Sequence, residues 1–271
     1  MIITLKIGNQ LYSADLGQGK SIAITLLPNG EQPNHFGAPE CLSETLVAGD
    51  FIGDTNRGGS CNVNQLSIIP HCNGTHTESV SHIVNQLVPV YQAIEDSTFP
   101  CILISLQPIT GCDSNETYLP CLDDTNRIIT RRQLELSLKK YSDTQLQGLV
   151  IRTLPNQIEK KTQVYNNEHY PPFLTNEAMS YLLERKVKHL MVDFPSVDKM
   201  YDDGQLTNHR IFWNVTFADK NLNLNSMTNK TITEMVFIKN EIEDGLYLCN
   251  LQLPEINTDA VPSRPVLYKL T

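Results

Sequence analysis

The chain has 271 residues, of which 40% are hydrophobic, so it is long enough to bury a substantial core, and one domain is favoured over two. Its formal net charge of −9 argues against a nucleic-acid partner, because proteins that bind the phosphate backbone usually present a basic face. No apolar run reaches the ~18–20 residues that a membrane-spanning helix needs, so we expect no membrane partner either.

The N-terminal residues and the cysteines both predict a cytoplasmic protein. Residues 1–7 alternate like a strand and lack the basic segment and long apolar run of a signal peptide. The seven cysteines are odd in number and form no Cys-x-x-Cys pair, which is typical of reduced thiols.

The first sixty residues predict a hairpin followed by a long arm. Residues 2–15 read as two short strands that turn at Gly8, Asn9 and Gln10. Residues 16–60 are rich in glycine, proline and asparagine, and a loop-rich segment of that length usually covers a site. We expect this arm to lie over the domain or over a partner subunit.

The middle of the chain predicts strands interrupted by helices. Residues 61–70 alternate like a strand, and an apolar run at 87–94 contains Pro89, which should break a helix or begin one. Further predicted elements are a buried strand at 101–106, a helix at 130–140 capped by Thr130, and a strand at 148–153.

The last hundred residues continue the α/β pattern. Thr175 caps a predicted helix over 176–186, and a strand follows at 189–194. The aromatic segment 211–217 is interpreted as a strand, and three more strands are predicted at 231–238, 246–253 and 264–270.

One short stretch concentrates the residues that could carry chemistry. His71, His76, Glu78 and His82 lie within 12 residues and include three of the seven histidines. On extended backbone His76 and Glu78 point to the same face, and a helical turn would bring His82 next to Glu78. Several imidazole and carboxylate groups so close together in the sequence indicate a metal site or an acid–base site. Taken singly, each could be an ordinary loop histidine or a solvated acid.

Four segments resemble the putative cyclase family, which includes bacterial kynurenine formamidase and isatin hydrolase. The segment 73–82 is similar to the family signature His-x-Gly-Thr-His-x-Asp-x-Pro-x-His. The others are a helix, strand and Pro-Ser-x-Asp run at 174–198, a histidine at position 209, and the segments around Glu234, 244–247 and 262–266.

The resemblance implies an α/β fold of the swivelling β/β/α type, with a mixed, partly closed sheet and flanking helices, as one cyclase-like domain over residues 1–271. It also implies a homo-oligomer, either a dimer or a tetramer.

It further implies a metal centre that holds one or two Zn²⁺ or Mn²⁺ ions. His76 and Glu78 would bind the metal, His209 and Glu234 would complete the second set, and His82 would carry protons beside a metal-bound water. The first histidine of the family signature falls on Cys72 or Asn73, depending on how the spacing is counted, and His71 lies just outside it. Asn73 is therefore a weak oxygen ligand, a hydrogen-bonding turn residue or a trace of lost activity, of which the turn is favoured, and His71 is a displaced ligand candidate.

Two functions follow from these observations. The first is a metal-dependent hydrolase of a small amide, formamide or lactam, an arylformamidase-like enzyme that acts on non-peptide C–N bonds. The second is a weakened or inactive protein of the same fold that binds a small ligand. In either case the expected partner is a small molecule.

Overall fold

The computed structural model describes residues 1–271, and a nine-stranded mixed sheet forms its centre. In chain order the strands are β1 (Ile2–Ile7), β2 (Gln10–Asp15), β3 (Lys20–Ser21), β4 (Leu42–Thr45), β5 (Val47–Ala48), β6 (Phe51–Ile52), β7 (Asn64–Ser67), β8 (His76–Glu78), β9 (Thr98–Leu106), β10 (Ile109–Thr110), β11 (Arg127–Ile129), β12 (Gly148–Thr153), β13 (Phe173–Leu174), β14 (His189–Val192), β15 (Thr231–Glu234), β16 (Gly245–Gln252), β17 (Ala260–Pro262) and β18 (Arg264–Lys269).

The five α-helices are short. They are α1 (Pro70–Asn73), α2 (Val90–Ala93), α3 (Arg131–Leu138), α4 (Asn176–Glu184) and α5 (Thr207–Trp213). Thr130 caps α3 in a capping box with Gln133, and the Thr175 hydroxyl accepts a hydrogen bond from the N–H of Ala178 at the start of α4. Both caps confirm the sequence prediction, as does the start of α2 directly after Pro89.

The large sheet has the order β17-β8-β15-β14-β12-β9-β16-β18-β3. The four central strands, β15, β14, β12 and β9, run parallel to one another. The strands that flank them pair antiparallel, β8 with β15 on one side and β16 with β9 on the other. Ala23, just beyond β3, forms an antiparallel bridge with Val236, just beyond β15. The far edge of the sheet therefore curls back towards its other side, which confirms the predicted mixed, partly closed sheet.

Apolar side chains cover both faces of this sheet. A cluster of 25 buried residues fills one face beneath α3, α4 and α5, and a cluster of 13 fills the other. Because the central strands are buried on both faces, they read as continuous apolar runs in the sequence.

The arm takes part in three small antiparallel pairings rather than forming an uninterrupted loop. β3 pairs at the edge of the large sheet, β5 pairs with β6, and β4 pairs with β7, which follows the arm. No helix in the structure is both long enough and apolar enough to cross a membrane.

One sequence prediction of secondary structure is wrong. The aromatic segment that begins at Ile211 was expected to be a strand, but residues 207–213 form α5. The Asp198 carboxylate accepts hydrogen bonds from the backbone N–H groups of Asn208 and His209 at the start of this helix. Phe212 and Trp213 are fully buried in the core. Tertiary packing and an anchored N-terminus therefore override the β propensity of the aromatic residues.

Candidate metal centre

Strand β8 presents His76 and Glu78 to one side of the sheet. Both side chains are fully buried. Thr77, between them, points to the opposite side, where its hydroxyl bonds to those of Thr233 at 2.8 Å and Ser263 at 2.8 Å. This alternation is the ordinary strand period, and it fixes the two candidate ligands on one face.

The strands beside β8 bring in residues that are distant in sequence. In β15, Glu234 lies directly opposite His76. In β17, Ala260 lies opposite Glu78, and the preceding residue, Asp259, accepts a backbone hydrogen bond from Ser79. The antiparallel register thus places the carboxylates of Glu234 and Asp259 beside the motif, the signature-like segment 73–82.

His209 enters from α5 in a fixed orientation. Its Nδ1 atom donates to the Asp198 carboxylate, so Nε2 is the atom that faces the cluster. Asp198 is itself held by the Tyr118 hydroxyl at 2.8 Å. A histidine that is oriented by a carboxylate in this way is a common arrangement in metal sites, because it fixes the tautomer and strengthens the other nitrogen as a ligand.

The inner part of the cluster contains two imidazole nitrogens and two carboxylates. His76 donates from Nδ1 to the Gly74 carbonyl at 2.9 Å, and its Nε2 atom lies 3.5 Å from Glu234 Oε2. His209 Nε2 lies 2.8 Å from Glu78 Oε1 and 3.7 Å from Glu234 Oε1. The backbone N–H of Val197 donates to Glu234 at 2.9 Å. All four side chains therefore converge on one small volume.

The outer part contains His71, His82 and Asp259, which are partly open to solvent. His71 lies 3.1 Å from Glu78 Oε2 through Nδ1 and 2.9 Å from Asp259 Oδ2 through Nε2. The His82 ring stacks on the His71 ring at 4.2 Å, and its Nδ1 atom lies 3.8 Å from Glu78 Oε2. Glu78 is thus shared between the inner and outer parts.

Asn73 adopts the turn role. Its side-chain oxygen accepts a hydrogen bond from the N–H of Ile69 at 2.7 Å, and its amide nitrogen donates to the Pro39 carbonyl at 3.0 Å. Cys72, the other residue at the first position of the signature, is half-buried, and both burial and the nearby charge of Glu234 raise the pKa of its thiol.

The cluster is strongly coupled electrostatically. Burial alone would raise the pKa of Glu78, but the charges of His82 and His209 hold it well below its usual range. Burial would lower the pKa of His209, but Glu78 and Asp198 raise it well above its usual range. His71 behaves likewise, and its pairing with Asp259 and Glu78 raises its pKa to about 10.

The residues fit a divalent cation. His76 Nε2 is buried and has no hydrogen-bond partner, although buried polar atoms are normally paired. Glu78 Oε2 is also buried, and its contact is the His71 Nδ1 atom at 3.1 Å, which does not meet it in hydrogen-bond geometry. Every ion-pair partner of Glu78, Glu234 and Asp259 is a histidine, so no lysine or arginine neutralises these carboxylates. Three groups of side chains have their ligand atoms within 4.8 Å of one another: His71–His76–Glu78, Glu78–His82–His209 and His71–His82–Asp259.

The structure therefore brings together six of the seven residues that the sequence proposed, and it sets the side chain of the seventh, Asn73, in a backbone turn. Sequence reasoning assigned no role to Asp259, because it stands alone in a polar loop and becomes a neighbour only through the pairing of β17 with β8. The arm contacts the motif through its backbone, since the N–H of His35 donates to the Cys72 carbonyl at 3.1 Å.

Comparison with known proteins finds one family model and several solved structures. The family model described as "Putative cyclase" matches residues 13–199. No curated protein sequence matches the chain.

The similar structures share the fold at low sequence identity. One described as a predicted metal-dependent hydrolase from Bacillus stearothermophilus is 14% identical, with a TM-score of 0.59 and coverage of 93% of this chain and 98% of that one. An isatin hydrolase bound to the product analogue thioisatinate is 12% identical, with a TM-score of 0.60 and coverage of 94% of each chain. Isatin hydrolase A from Labrenzia aggregata is 16% identical, with a TM-score of 0.56 and coverage of 93% of each chain.

Proposed function

The chain belongs to the putative cyclase family, and on that premise we propose that it is a metal-dependent hydrolase of a small amide, formamide or lactam. The observation that carries the proposal is the buried His76 Nε2 atom, which has no hydrogen-bond partner and lies beside Glu78, a buried carboxylate whose ion-pair partners are all histidines. Leaving such an atom unpaired costs about 1–3 kcal/mol, which a bound cation would offset.

The chain's residues have distinct proposed roles at this centre. His76, Glu78, His209 and Glu234 would hold the one or two ions, with His71 as a further ligand. When bound, Zn²⁺ or Mn²⁺ supplies Lewis acidity towards the substrate carbonyl and lowers the pKa of a bound water to about 7. Asp198 keeps His209 in the tautomer that presents Nε2.

His82 is the proposed proton carrier. Its side chain is 26% exposed, so it faces both the cluster and solvent. In hydrolysis, water adds its oxygen to the carbonyl carbon, the C–N bond breaks, and the leaving nitrogen needs a proton. An imidazole at this position can take the proton from the water and return it to the nitrogen, which is the common role of histidine in acid–base catalysis.

Metal analysis of the purified protein tests the proposal most directly. We expect one or two equivalents of Zn²⁺ or Mn²⁺ per chain in the wild type, and loss of most of it in His76→Ala. Chelation should lower the melting temperature, because a ligand that binds only the folded state stabilises it.

Turnover of isatin and N-formylkynurenine is then measured with and without the restored metal. His82→Ala should keep its metal but lose about 100-fold or more in kcat, the scale of general acid–base catalysis. A protein without metal, whose melting temperature is unchanged by chelation, would contradict the hydrolase proposal and leave the ligand-binding alternative.

We further propose that the protein is cytoplasmic and forms a dimer or a tetramer. All seven cysteines are free thiols, which fits a reducing compartment. Three apolar side chains in this region are more than half accessible: Leu27 and Val47 in the arm, and Leu66 in β7, which pairs with strand β4 of the arm. Exposed apolar surface of this kind is a candidate subunit contact.

A further inference from the structure

Asp259 lies at the open edge of the metal centre, and both of its ion-pair partners are histidines. Its Oδ2 atom lies 2.9 Å from His71 Nε2 and 3.9 Å from His82 Nδ1. Only the contact with His71 is a hydrogen bond, because 3.9 Å is longer than such bonds extend. The proposed function assigns this carboxylate no role. Its direct partner in the centre is therefore His71.

The backbone and a neighbouring hydroxyl hold Asp259 in place. Its carbonyl, directly before β17, accepts a hydrogen bond from the N–H of Ser79 at 2.9 Å. The Thr258 hydroxyl donates to its Oδ1 atom at 3.0 Å, which leaves Oδ2 for His71. Although the side chain is 33% exposed, its position is thus set by the strand that pairs with β8, which carries the candidate ligands.

The two ring nitrogens of His71 meet carboxylates in different ways. Nε2 meets Asp259 in hydrogen-bond geometry. Nδ1 lies 3.1 Å from Glu78 Oε2, but the two atoms do not meet in hydrogen-bond geometry, and Glu78 Oε2 is left without a hydrogen-bond partner. The His71 ring is therefore aligned on Asp259 rather than on Glu78.

The separation of His71 Nδ1 from Glu78 Oε2 is the separation expected of two ligands of one ion. With bonds of about 2.0–2.2 Å at tetrahedral or octahedral angles, adjacent ligand atoms lie about 2.8–3.6 Å apart. The ligand atoms of His71, His76 and Glu78 all lie within 4.8 Å of one another. A cation that binds His76 and Glu78 is therefore within reach of His71 Nδ1.

We propose that Asp259 is a positioning residue that makes His71 a metal ligand. It holds the Nε2 proton of His71, so that Nδ1 can present its lone pair to a cation beside Glu78 and His76. The inference rests on the metal-dependent function proposed above. The competing explanation is an ordinary, partly exposed ion pair that fastens α1 to the segment before β17.

Four variants and a control separate these explanations through the dissociation constant of Zn²⁺ in chelator-buffered solution. Asp259→Asn removes the charge, Asp259→Glu keeps a carboxylate, and His71→Ala removes the proposed ligand. The fourth variant combines His71→Ala with Asp259→Asn. The control is Asp143→Asn, because Asp143 is half-exposed and pairs with Arg185 at 2.7 Å but contacts none of the proposed ligands.

We expect Asp259→Asn to weaken Zn²⁺ binding by about 10–100-fold, and Asp259→Glu to weaken it less. The double variant should bind Zn²⁺ no more weakly than His71→Ala, because Asp259 acts through His71. A purely electrostatic effect of the carboxylate would instead persist without the His71 ring. Asp143→Asn should bind Zn²⁺ as the wild type does.

The visible absorption spectrum of the Co²⁺-loaded protein gives a second readout, since it depends on the number and type of ligands. The spectrum of Asp259→Asn should resemble that of His71→Ala, and the spectrum of Asp259→Glu should resemble that of the wild type.

Three results would overturn the inference, and they are distinguishable. If Asp259→Asn lowers the melting temperature but keeps the wild-type affinity for Zn²⁺, the pair is structural and the hydrolase proposal stands. If Asp259→Asn weakens binding further in the His71→Ala background, Asp259 acts on the ion directly and not through His71. If the wild type binds no metal, the hydrolase proposal fails and the role of Asp259 fails with it.

Discussion

Asp198 determines how His209 faces the metal centre. Its carboxylate accepts the proton of His209 Nδ1 and also two backbone N–H groups at the start of α5. A neutral amide at this position could accept only more weakly and could rotate its NH₂ group towards the ring. The result would be a less basic and less well-oriented Nε2 ligand.

We therefore expect Asp198→Asn to weaken metal affinity by about 10–100-fold, the usual scale for a residue that orients a metal ligand. The measurement is the dissociation constant of Zn²⁺ in chelator-buffered solution. Asp202→Asn is the control, because Asp202 also accepts from the Tyr118 hydroxyl but does not contact His209. Equal Zn²⁺ affinities in the wild type and Asp198→Asn would show that Asp198 only stabilises the start of α5 and does not tune His209 as a ligand.

At the residue scale, spacing along the sequence predicted the candidate ligands that lie on continuous backbone. His76 and Glu78 follow from the strand period, and His82 follows from the turn after it. Position 259 carries no comparable pattern. The Asp259 side chain reaches the site through the pairing of β17 with β8, which depends on the whole fold.

Among the elements, α5 and β15 meet at a buried lysine. Lys230, directly before β15, is 4% exposed, and its Nζ atom has no hydrogen-bond partner. It lies 4.6 Å from the ring centroid of Phe212 in α5. Burial lowers its pKa to about 8 from an ordinary value of 10.5. The cation–π contact offsets part of the cost of burying the charge.

This shift predicts how stability depends on pH. Between pH 8 and 10.5 the unfolded chain binds more protons at Lys230 than the folded chain does, so the free energy of unfolding should rise with pH across that window. Lys230→Met should raise this free energy at pH 7 by about 1 kcal/mol and flatten the rise. Urea unfolding at several pH values measures both effects.

Lys220→Met serves as the control for that experiment. Lys220 is exposed on the surface, and its replacement should change neither the stability nor its pH dependence. If the free energy of unfolding rises equally steeply with pH in Lys230→Met and in the wild type, the pH dependence comes from groups other than Lys230.

Sequence patterns predicted most of the helices and strands that are determined by their own local sequence. Capping residues located α3 and α4, and apolar runs located β9, β12 and β16. The helix α5 was missed because its aromatic residues favour strands, and the carboxylate that anchors its first turn comes from Asp198 in a preceding loop. Elements that are decided by distant contacts are thus the ones that local propensity misses.

At the scale of the whole molecule, the arm is the surface on which the proposed oligomer depends. Val47 is 54% exposed and lies on β5 of the arm, and Leu66 is 64% exposed and lies on β7, which pairs with strand β4 of the arm. We expect Val47→Glu combined with Leu66→Glu to shift the protein towards monomer in light scattering after size-exclusion chromatography.

The control for the oligomer is Leu224→Glu, because Leu224 is fully exposed and lies outside the arm. This variant should retain the wild-type mass. A monomeric wild type would contradict the oligomer proposal without bearing on the metal centre.

The position of β8 between β15 and β17 also has a consequence for how the protein folds. The Thr77 hydroxyl meets Thr233 across 156 residues and Ser263 across 186 residues. Contacts of such sequence separation are slow to form, because the entropy of closing a long loop is lost before the contact stabilises anything. The ligand-bearing strand therefore gains both neighbours only after the C-terminal strands have been synthesised, and the proposed metal centre assembles late in folding rather than nucleating it.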